Sequence, residues 1–128
     1  TINIHPALPG ETIGTWKKAI WDVIEKRSYE TGAMVHISTE KVDQGKVLSF
    51  GKYSLSEEKF KSEWERIKRL PFKDIKHKYG EDLCLFNLIR QKGLIFERKL
   101  LAETLGRISS NQISLKNTNP VDLSASLS

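Results

Sequence analysis

The densest group of chemically active side chains lies between Arg66 and Lys78. Of these thirteen residues, six are Lys or Arg and one, Asp74, is acidic. The stretch therefore carries an excess of five positive charges, which equals the net charge of the whole chain. Such cations bind phosphates, because each one that meets a nucleic-acid backbone releases condensed counterions. The predicted phosphate-binding residues are Arg66, Lys68, Arg69, Lys73, Lys76 and Lys78.

Two aromatic residues and a histidine accompany these cations. Phe72 and Tyr79 flank the run, where rings could stack on unpaired bases, and Tyr79 is included in the predicted site. His77 would add positive charge below its usual pKa of about 6.5. The alternative interpretation is a solvated charged surface, with Phe72 in the core and Tyr79 as a half-buried anchor.

The residues most often used in catalysis are scattered along the chain. His5, His36 and His77 are far apart and show neither an HExxH pattern nor a Cys-His cluster. The single cysteine, Cys84, has apolar neighbours on both sides and is predicted to be a buried, inert thiol. This pattern favours a protein without a catalytic site or a metal site.

A minor alternative is a metal-dependent nuclease. Such an enzyme needs carboxylates and a lysine that converge at strand ends, and Glu40, Lys41 and Asp43 lie near a predicted hairpin turn. Any exposed turn could carry these residue types, so we predict no enzymatic activity, no bound metal and no cofactor.

A second candidate motif occupies residues 97–114, with the sequence ERKLLAETLGRISSNQIS. A small residue, Ala102, is followed four positions later by Gly106, with the apolar residues Leu101 and Leu105 nearby. The segment resembles the second helix and turn of helix-turn-helix proteins of repressor type, in which a small residue lets two helices approach.

This resemblance implies a recognition helix after the turn. Ser109, Asn111 and Gln112 would then face base edges, and Asn or Gln is a natural partner for adenine. The family has an apolar residue where this chain has Gln112. The alternative is an ordinary amphipathic helix with a glycine cap.

The three tryptophans differ in their predicted roles. Trp16 and Trp64 fall on apolar stripes of helical period and are predicted to be core residues. Trp21 lies beside Lys17 and Lys18, off the centre of its stripe, and is a candidate ring for docking a partner. Its alternative is a position at the edge of the core.

Apolar periodicity predicts the elements that would position these residues. Steps of three and four indicate a long N-terminal helix over about 12–29, and two β-branched or aromatic segments indicate a β-hairpin over 33–41 and 46–54. Three helices should follow. The first begins at Ser56 and is ended by Pro71, after which the cations continue into a loop; the others span about 81–92 and 95–106, separated by Gly93.

The predicted fold class is therefore α+β, with a long N-terminal helix, a β-hairpin, three helices and a disordered C-terminal tail. A chain of 128 residues suits one domain. Residues 1–10 should form an N-terminal arm and residues 11–108 a single compact domain. Residues 109–128, rich in Ser and Asn and without an aromatic ring, should form the tail.

The composition also bears on the cellular compartment in which the protein is expected. The sequence has no apolar run of the roughly 18 residues that span a bilayer, and no signal-peptide pattern at its start. One cysteine rules out an internal disulfide and suits a reducing compartment. We therefore expect no membrane partner and a cytoplasmic or nuclear location.

These observations favour a small non-enzymatic nucleic-acid-binding protein, a regulator or accessory factor, with DNA slightly favoured over RNA. A homodimer through the hairpin edge or an exposed apolar face is also considered. The alternative function is a protein-interaction module, such as an adaptor, inhibitor or assembly subunit. It would use the aromatic N-terminal helix and the hairpin, and its cations would meet an acidic protein partner.

Overall fold

The computed structural model describes residues 2–11, 14–37, 46–116 and 119–127. This described part of the chain has a mixed α+β fold with five helices and one four-stranded sheet. None of its helices is both long enough and apolar enough to cross a membrane. In chain order the elements are β1 (Ile2–His5), α1 (Trp16–Glu25), β2 (Glu30–Ile37), β3 (Val47–Ser54), α2 (Glu58–Ile67), α3 (Phe72–Tyr79), a 3₁₀ turn (Gly80–Asp82), α4 (Cys84–Ser109), β4 (Val121–Asp122) and α5 (Ser124–Leu127).

The sheet has the strand order β1-β2-β3-β4. The predicted hairpin is present, because β2 and β3 pair antiparallel from Glu30 opposite Ser54 to Val35 opposite Ser49, with an irregularity after Val35. β2 begins at Glu30, three positions before the predicted start. Of the predicted turn at residues 43–46, all but Lys46 lie outside the described residues.

The predicted N-terminal arm contributes an edge strand. β1 pairs antiparallel with β2, with Ile2 opposite Ile37 and His5 opposite Met34. At the other edge of the hairpin, β4 pairs with β3 at Ser49 and Phe50. The chain's own strands therefore cover much of the hairpin edge that the sequence offered for a homodimer.

Helix α4 packs across one face of the sheet. The Ser49 and Thr104 hydroxyls, both buried, form a hydrogen bond of 2.6 Å between β3 and α4. A Cβ added at Gly51 would lie 2.7 Å from the Phe96 ring. Glycine is needed at this position because any side chain would push the helix away from the sheet.

The prediction of a long N-terminal helix is wrong, because the long helix is α4. It has 26 residues, whereas α1 has ten, and it merges the two helices that were predicted on either side of Gly93. A Cβ at Gly93 would lie only 3.0 Å from the Tyr53 hydroxyl oxygen, so this glycine serves close packing and does not end the helix. Its cost of about 1 kcal/mol relative to alanine is offset by the packing of the turns on both sides.

The end of α1 explains why that helix is short. Arg27 has a φ of 52°, a left-handed conformation that ends a helix. Its guanidinium donates hydrogen bonds to the carbonyl oxygens of Ile24, at 3.1 Å, and Leu70, at 2.8 Å. Arg27 therefore ties the end of α1 to the segment between α2 and α3.

Pro71 begins a helix, and the prediction that a loop follows it is wrong. Helix α2 already ends at Ile67, and Pro71 is the N-cap of α3. Proline suits the start of a helix, because its fixed φ is compatible with the first turn and its missing N–H would have no helical partner there. The cations from Lys73 to Lys78 consequently lie on a helix.

Two clusters of buried apolar side chains lie along α4. The first packs α1, α2 and α3 against the N-terminal half of α4, and it includes Ile24, Phe60 and Phe86. The second packs the sheet against the C-terminal half of α4, and it includes Val35 and Leu100. Since both clusters share α4, this helix is the central element of the fold.

The prediction of a disordered C-terminal tail is also wrong. β4 pairs in parallel with β3, and the Leu123 amide donates to the Phe50 carbonyl oxygen at 2.8 Å. Leu123 and Ile113 are 1% and 2% exposed, respectively. The polar composition of the segment concealed these isolated apolar residues, each of which is buried in the folded structure.

A buried carboxylate of α4, that of Glu97, lies beside Gly93 and forms an ion pair within the same helix. The Glu97 carboxylate is 9% exposed, and its Oε2 lies 3.8 Å from a guanidinium nitrogen of Arg90. Burial raises the pKa of Glu97, and the charge of Arg90 offsets only part of this effect. Burial and the nearby Glu97 carboxylate also raise the pKa of Tyr53.

The substitution Glu97→Gln should stabilise the fold at neutral pH and have little effect in acid. Below the pKa that Glu97 has in the unfolded chain, its carboxyl group is neutral in both the folded and the unfolded state. As pH rises, this carboxyl ionises first in the unfolded chain, so the folded state loses stability relative to the unfolded state. Glutamine does not titrate. We expect the variant to melt at about the wild-type temperature near pH 4, and roughly 3 °C above it near pH 7.5. A wild type that gains stability over the variant as pH rises would show that the Arg90 ion pair outweighs the burial of the carboxylate.

Candidate nucleic-acid interface

The predicted phosphate-binding residues lie at the end of α2, in the connection after it and along α3. We call them the basic face, defined as Arg66, Lys68, Arg69, Lys73, Lys76 and Lys78. All six side chains are exposed. The six cations, which are close together in the sequence, are therefore all on the surface of the structure.

Helix α3 owes its orientation to one apolar side. Ile75 is fully buried, and the Phe72 ring packs edge-on against Trp21 with ring centroids 6.0 Å apart. At 100° per residue, Lys73 and His77 lie about 160° around the helix from Ile75. The sequence of α3 thus buries one stripe and directs cations to solvent.

Two members of the basic face are neutralised within their own segment. Arg66 lies 3.3 Å from the Glu63 carboxylate, and Lys68 lies 3.8 Å from that of Glu65, each pair separated by three positions. Exposed pairs of this kind are weak, typically below about 1 kcal/mol. They nevertheless reduce the charge that α2 presents to a ligand.

The other four cations form no ion pair with any residue that the structure describes. They are Arg69, Lys73, Lys76 and Lys78. Asp74, the one acid among residues 66–78, is exposed on the same helix. These four side chains give the basic face its uncompensated charge.

The helix axis gives a local explanation for part of this charge. Lys76 and Lys78 lie in the last turn of α3, where cations interact favourably with the negative end of the helix dipole. Arg69 and Lys73 lie outside that turn. The dipole therefore accounts for some of the lysines but not for the whole face.

One further cation, at the end of α1, was not included in the predicted site. Lys26 is exposed and has no ion pair with a described residue. It precedes Arg27, whose guanidinium contacts the Leu70 carbonyl oxygen beside Arg69. Tertiary contacts bring α1 to the basic face, namely this one and the packing of Trp21 against Phe72 and Lys76, so local sequence patterns carry no signal for it.

The aromatic residues beside the cations are poorly placed for stacking on bases. Tyr79 is half-buried, and Lys78 lies over its ring with Nζ 5.2 Å from the ring centroid. Phe72 is half-buried against Trp21. The basic face can hold phosphates, and its two rings mainly pack against the protein.

Trp21 is a core residue, so its predicted role as an exposed docking ring is not supported. Its exposed fraction is 8%, and its ring centroid lies 4.9 Å from that of Phe86. Lys76 lies above the same ring, with Nζ 5.7 Å from the centroid. Trp21 thus packs between α3 and the core, and only the edge of its ring is accessible to a partner.

Among the described residues, no recognition helix follows Gly106. Helix α4 runs without a break through Gly106 to Ser109, and the amides of Gln112 and Ile113 then donate to the Arg107 carbonyl oxygen in a turn. Asn111 has a φ of 63°, which is incompatible with a continuing right-handed helix. Ser109, Asn111 and Gln112 are exposed, but they lie at a helix end and turn rather than on a second helix.

The histidines and the cysteine considered for catalysis are not assembled into a site in the described part of the chain. His5 and His36 are buried on neighbouring strands, and burial lowers the pKa of His36. Cys84 is exposed at the start of α4, so the prediction of a buried thiol is wrong. Within the described ranges, no three His, Cys, Asp or Glu side chains are placed to hold a metal ion.

The residues of the minor nuclease hypothesis, Glu40, Lys41 and Asp43, lie outside the described residues. Comparison with protein families gave no matching model for this chain. Comparison with curated proteins gave no match either. The functional argument therefore depends on the geometry and charge of the described residues.

Proposed function

We propose that this chain binds duplex nucleic acid through the basic face, by contact with backbone phosphates. The observation that carries the proposal is the set of four exposed cations, Arg69, Lys73, Lys76 and Lys78, that form no ion pair with described residues. A regular phosphate backbone offers the repeated charges that such a surface can neutralise.

The surroundings of the cations favour phosphate contact over base recognition. Base-specific binding needs a helix or strand that enters a groove, or rings on which bases stack. In the described residues after the turn at Gln112, no helix is placed as a recognition helix would be, and Lys78 lies over the Tyr79 ring. We therefore expect little sequence preference, and the preference for DNA that rested on the helix-turn-helix resemblance loses its basis.

The alternative of a protein-interaction module loses part of its proposed surface. The aromatic residues of α1 pack inward, with Trp21 against Phe86 and Trp16 covered by Arg90, whose guanidinium carbon lies 4.0 Å from a Trp16 ring centroid. An acidic protein could still meet the basic face, and this is one outcome of the test below.

The test is a fluorescence-anisotropy titration of a short mixed-sequence duplex at salt concentrations from about 50 to 200 mM. If four cations each contact a phosphate, the slope of log K against log salt should be about −3.6. A single strand should bind less tightly, and polyglutamate should compete weakly. Absence of duplex binding at low salt, or binding that does not respond to salt, would contradict the proposal; tighter binding to polyglutamate would favour the acidic-protein alternative.

A further inference from the structure

A cleft of about 600 Å³ opens between α4, the end of β3 and the C-terminal segment. None of its lining residues belongs to the basic face. Its volume falls within the range of small-molecule sites, about 300–1,000 Å³. The residues that matter for its chemistry are Lys52, Tyr53, Ile95, Phe96, Lys99 and Leu127.

The floor of the cleft is aromatic and apolar. The Tyr53 and Phe96 rings pack with their centroids 4.6 Å apart, and Gly51 leaves room for the Phe96 ring to approach the sheet. Ile95 also lines the cleft and is 56% exposed, the highest value among the large aliphatic side chains that the structure describes. A ligand that covered Ile95 would remove this apolar surface from water.

The C-terminal wall is held in place by hydrogen bonds. The Lys52 amide donates to the Ser124 hydroxyl at 2.9 Å, and the Ser124 amide donates to the Asp122 carboxylate at 2.9 Å. The Ser124 hydroxyl also donates to the Asp122 carboxylate, and the hydrogen bonds from the Ser124 hydroxyl and amide lower the pKa of Asp122. The wall is thus built before any ligand arrives, which reduces the ordering cost of binding.

Only some of the charges around the cleft are available to a ligand. Lys92 is bound to the Glu57 carboxylate and the Ser54 carbonyl oxygen, and Lys52 lies near the charge of Asp122. The second carboxylate of the lining, Glu30, is exposed and lies opposite Ser54 in the β2–β3 register, at the Lys92 end of the cleft. Lys99 is seven residues further along α4, a rise of about 10 Å. Lys99 is exposed and has no ion pair with a described residue. Lys99 is therefore the cation best placed to meet an anionic group.

We propose that this cleft binds a small amphipathic anion, with its flat apolar part over Tyr53, Phe96 and Ile95 and its anionic group at Lys99. The volume of the cleft, the exposed Ile95 and the absence of an ion pair between Lys99 and any described residue together point to this class of ligand. The site is separate from the basic face, so the proposal does not depend on nucleic-acid binding.

The experiment uses anilinonaphthalene sulfonate as the probe, because it combines fused aromatic rings with one sulfonate. We expect a single site by calorimetry and a blue shift of the dye fluorescence on the folded full chain. Ile95→Asp should weaken binding about tenfold or more, since it places a carboxylate against the apolar part of the dye. Lys99→Gln should weaken it about threefold to tenfold, as expected for one charge-assisted contact.

Matched controls lie on the same helix. Leu105 is 44% exposed but does not line the cleft, and neither does the exposed Arg98. Leu105→Asp and Arg98→Gln should bind the dye like the wild type, and thermal melts should show that all four variants are folded. The proposal is overturned if the folded wild type does not bind the dye, or if Lys99→Gln and Arg98→Gln have equal effects. It is also overturned if a folded Ile95→Asp variant retains wild-type affinity.

Discussion

Leu123→Ala should lower the free energy of unfolding by about 3 kcal/mol, as expected for a large-to-small change at a fully buried position. Leu123 is 1% exposed and packs in the cluster that contains Phe96 and Leu100. Its amide also fixes the backbone through the bond to the Phe50 carbonyl oxygen. Chemical denaturation with a two-state fit measures the effect.

The matched control is Leu115→Ala. Leu115 precedes β4 in the same C-terminal segment but is 49% exposed, so we expect a change within about 0.5 kcal/mol. A Leu123→Ala effect as small as that expected for Leu115→Ala, within about 0.5 kcal/mol, would mean that Leu123 does not pack on the sheet in solution.

The combined reversal Lys73→Glu, Lys76→Glu and Lys78→Glu should weaken duplex binding at low salt by about 100-fold or more. It replaces three phosphate contacts by three repulsive charges, and even the loss of contacts alone would remove about 2.7 from the salt slope. Anisotropy titrations of the folded variant measure this loss. Since Lys76 and Lys78 lie in the last turn of α3, their reversal also opposes the helix dipole by about 0.3–1 kcal/mol each.

Two further variants separate binding from stability and from net charge. Replacing the same three lysines by Gln keeps α3 free of repulsion and should still weaken binding by roughly tenfold or more. Reversing Lys59, Lys61 and Arg98, which are exposed and form no ion pair with described residues, changes the net charge equally. If this control loses as much affinity as the α3 reversal, the binding is a general charge effect and the assignment to the basic face is wrong.

Sequence patterns correctly predicted the features that depend on neighbouring residues alone. The hairpin follows from its β-branched and aromatic segments, and the exposure of the basic face follows from the charge of its residues. The ion pair between Arg66 and Glu63 could also be predicted from the sequence, because side chains three residues apart lie close together on a helix.

The errors arise where tertiary contacts override the local pattern. Gly93 suggested a break, but it packs against Tyr53 inside one long helix. Pro71 suggested an end, but it begins α3. Leu123 lies among Ser and Asn, and nothing in its immediate sequence indicates the buried position that it occupies between the sheet and α4.

The most direct test of the account is a map of the nucleic-acid footprint on the intact chain. Backbone amide NMR shifts would be followed as a mixed-sequence duplex is added at low salt. We expect the largest changes in residues 69–79 and smaller changes near Lys26. Changes confined to the sheet or to the cleft beside Lys99, with residues 69–79 unaffected, would contradict the central claim.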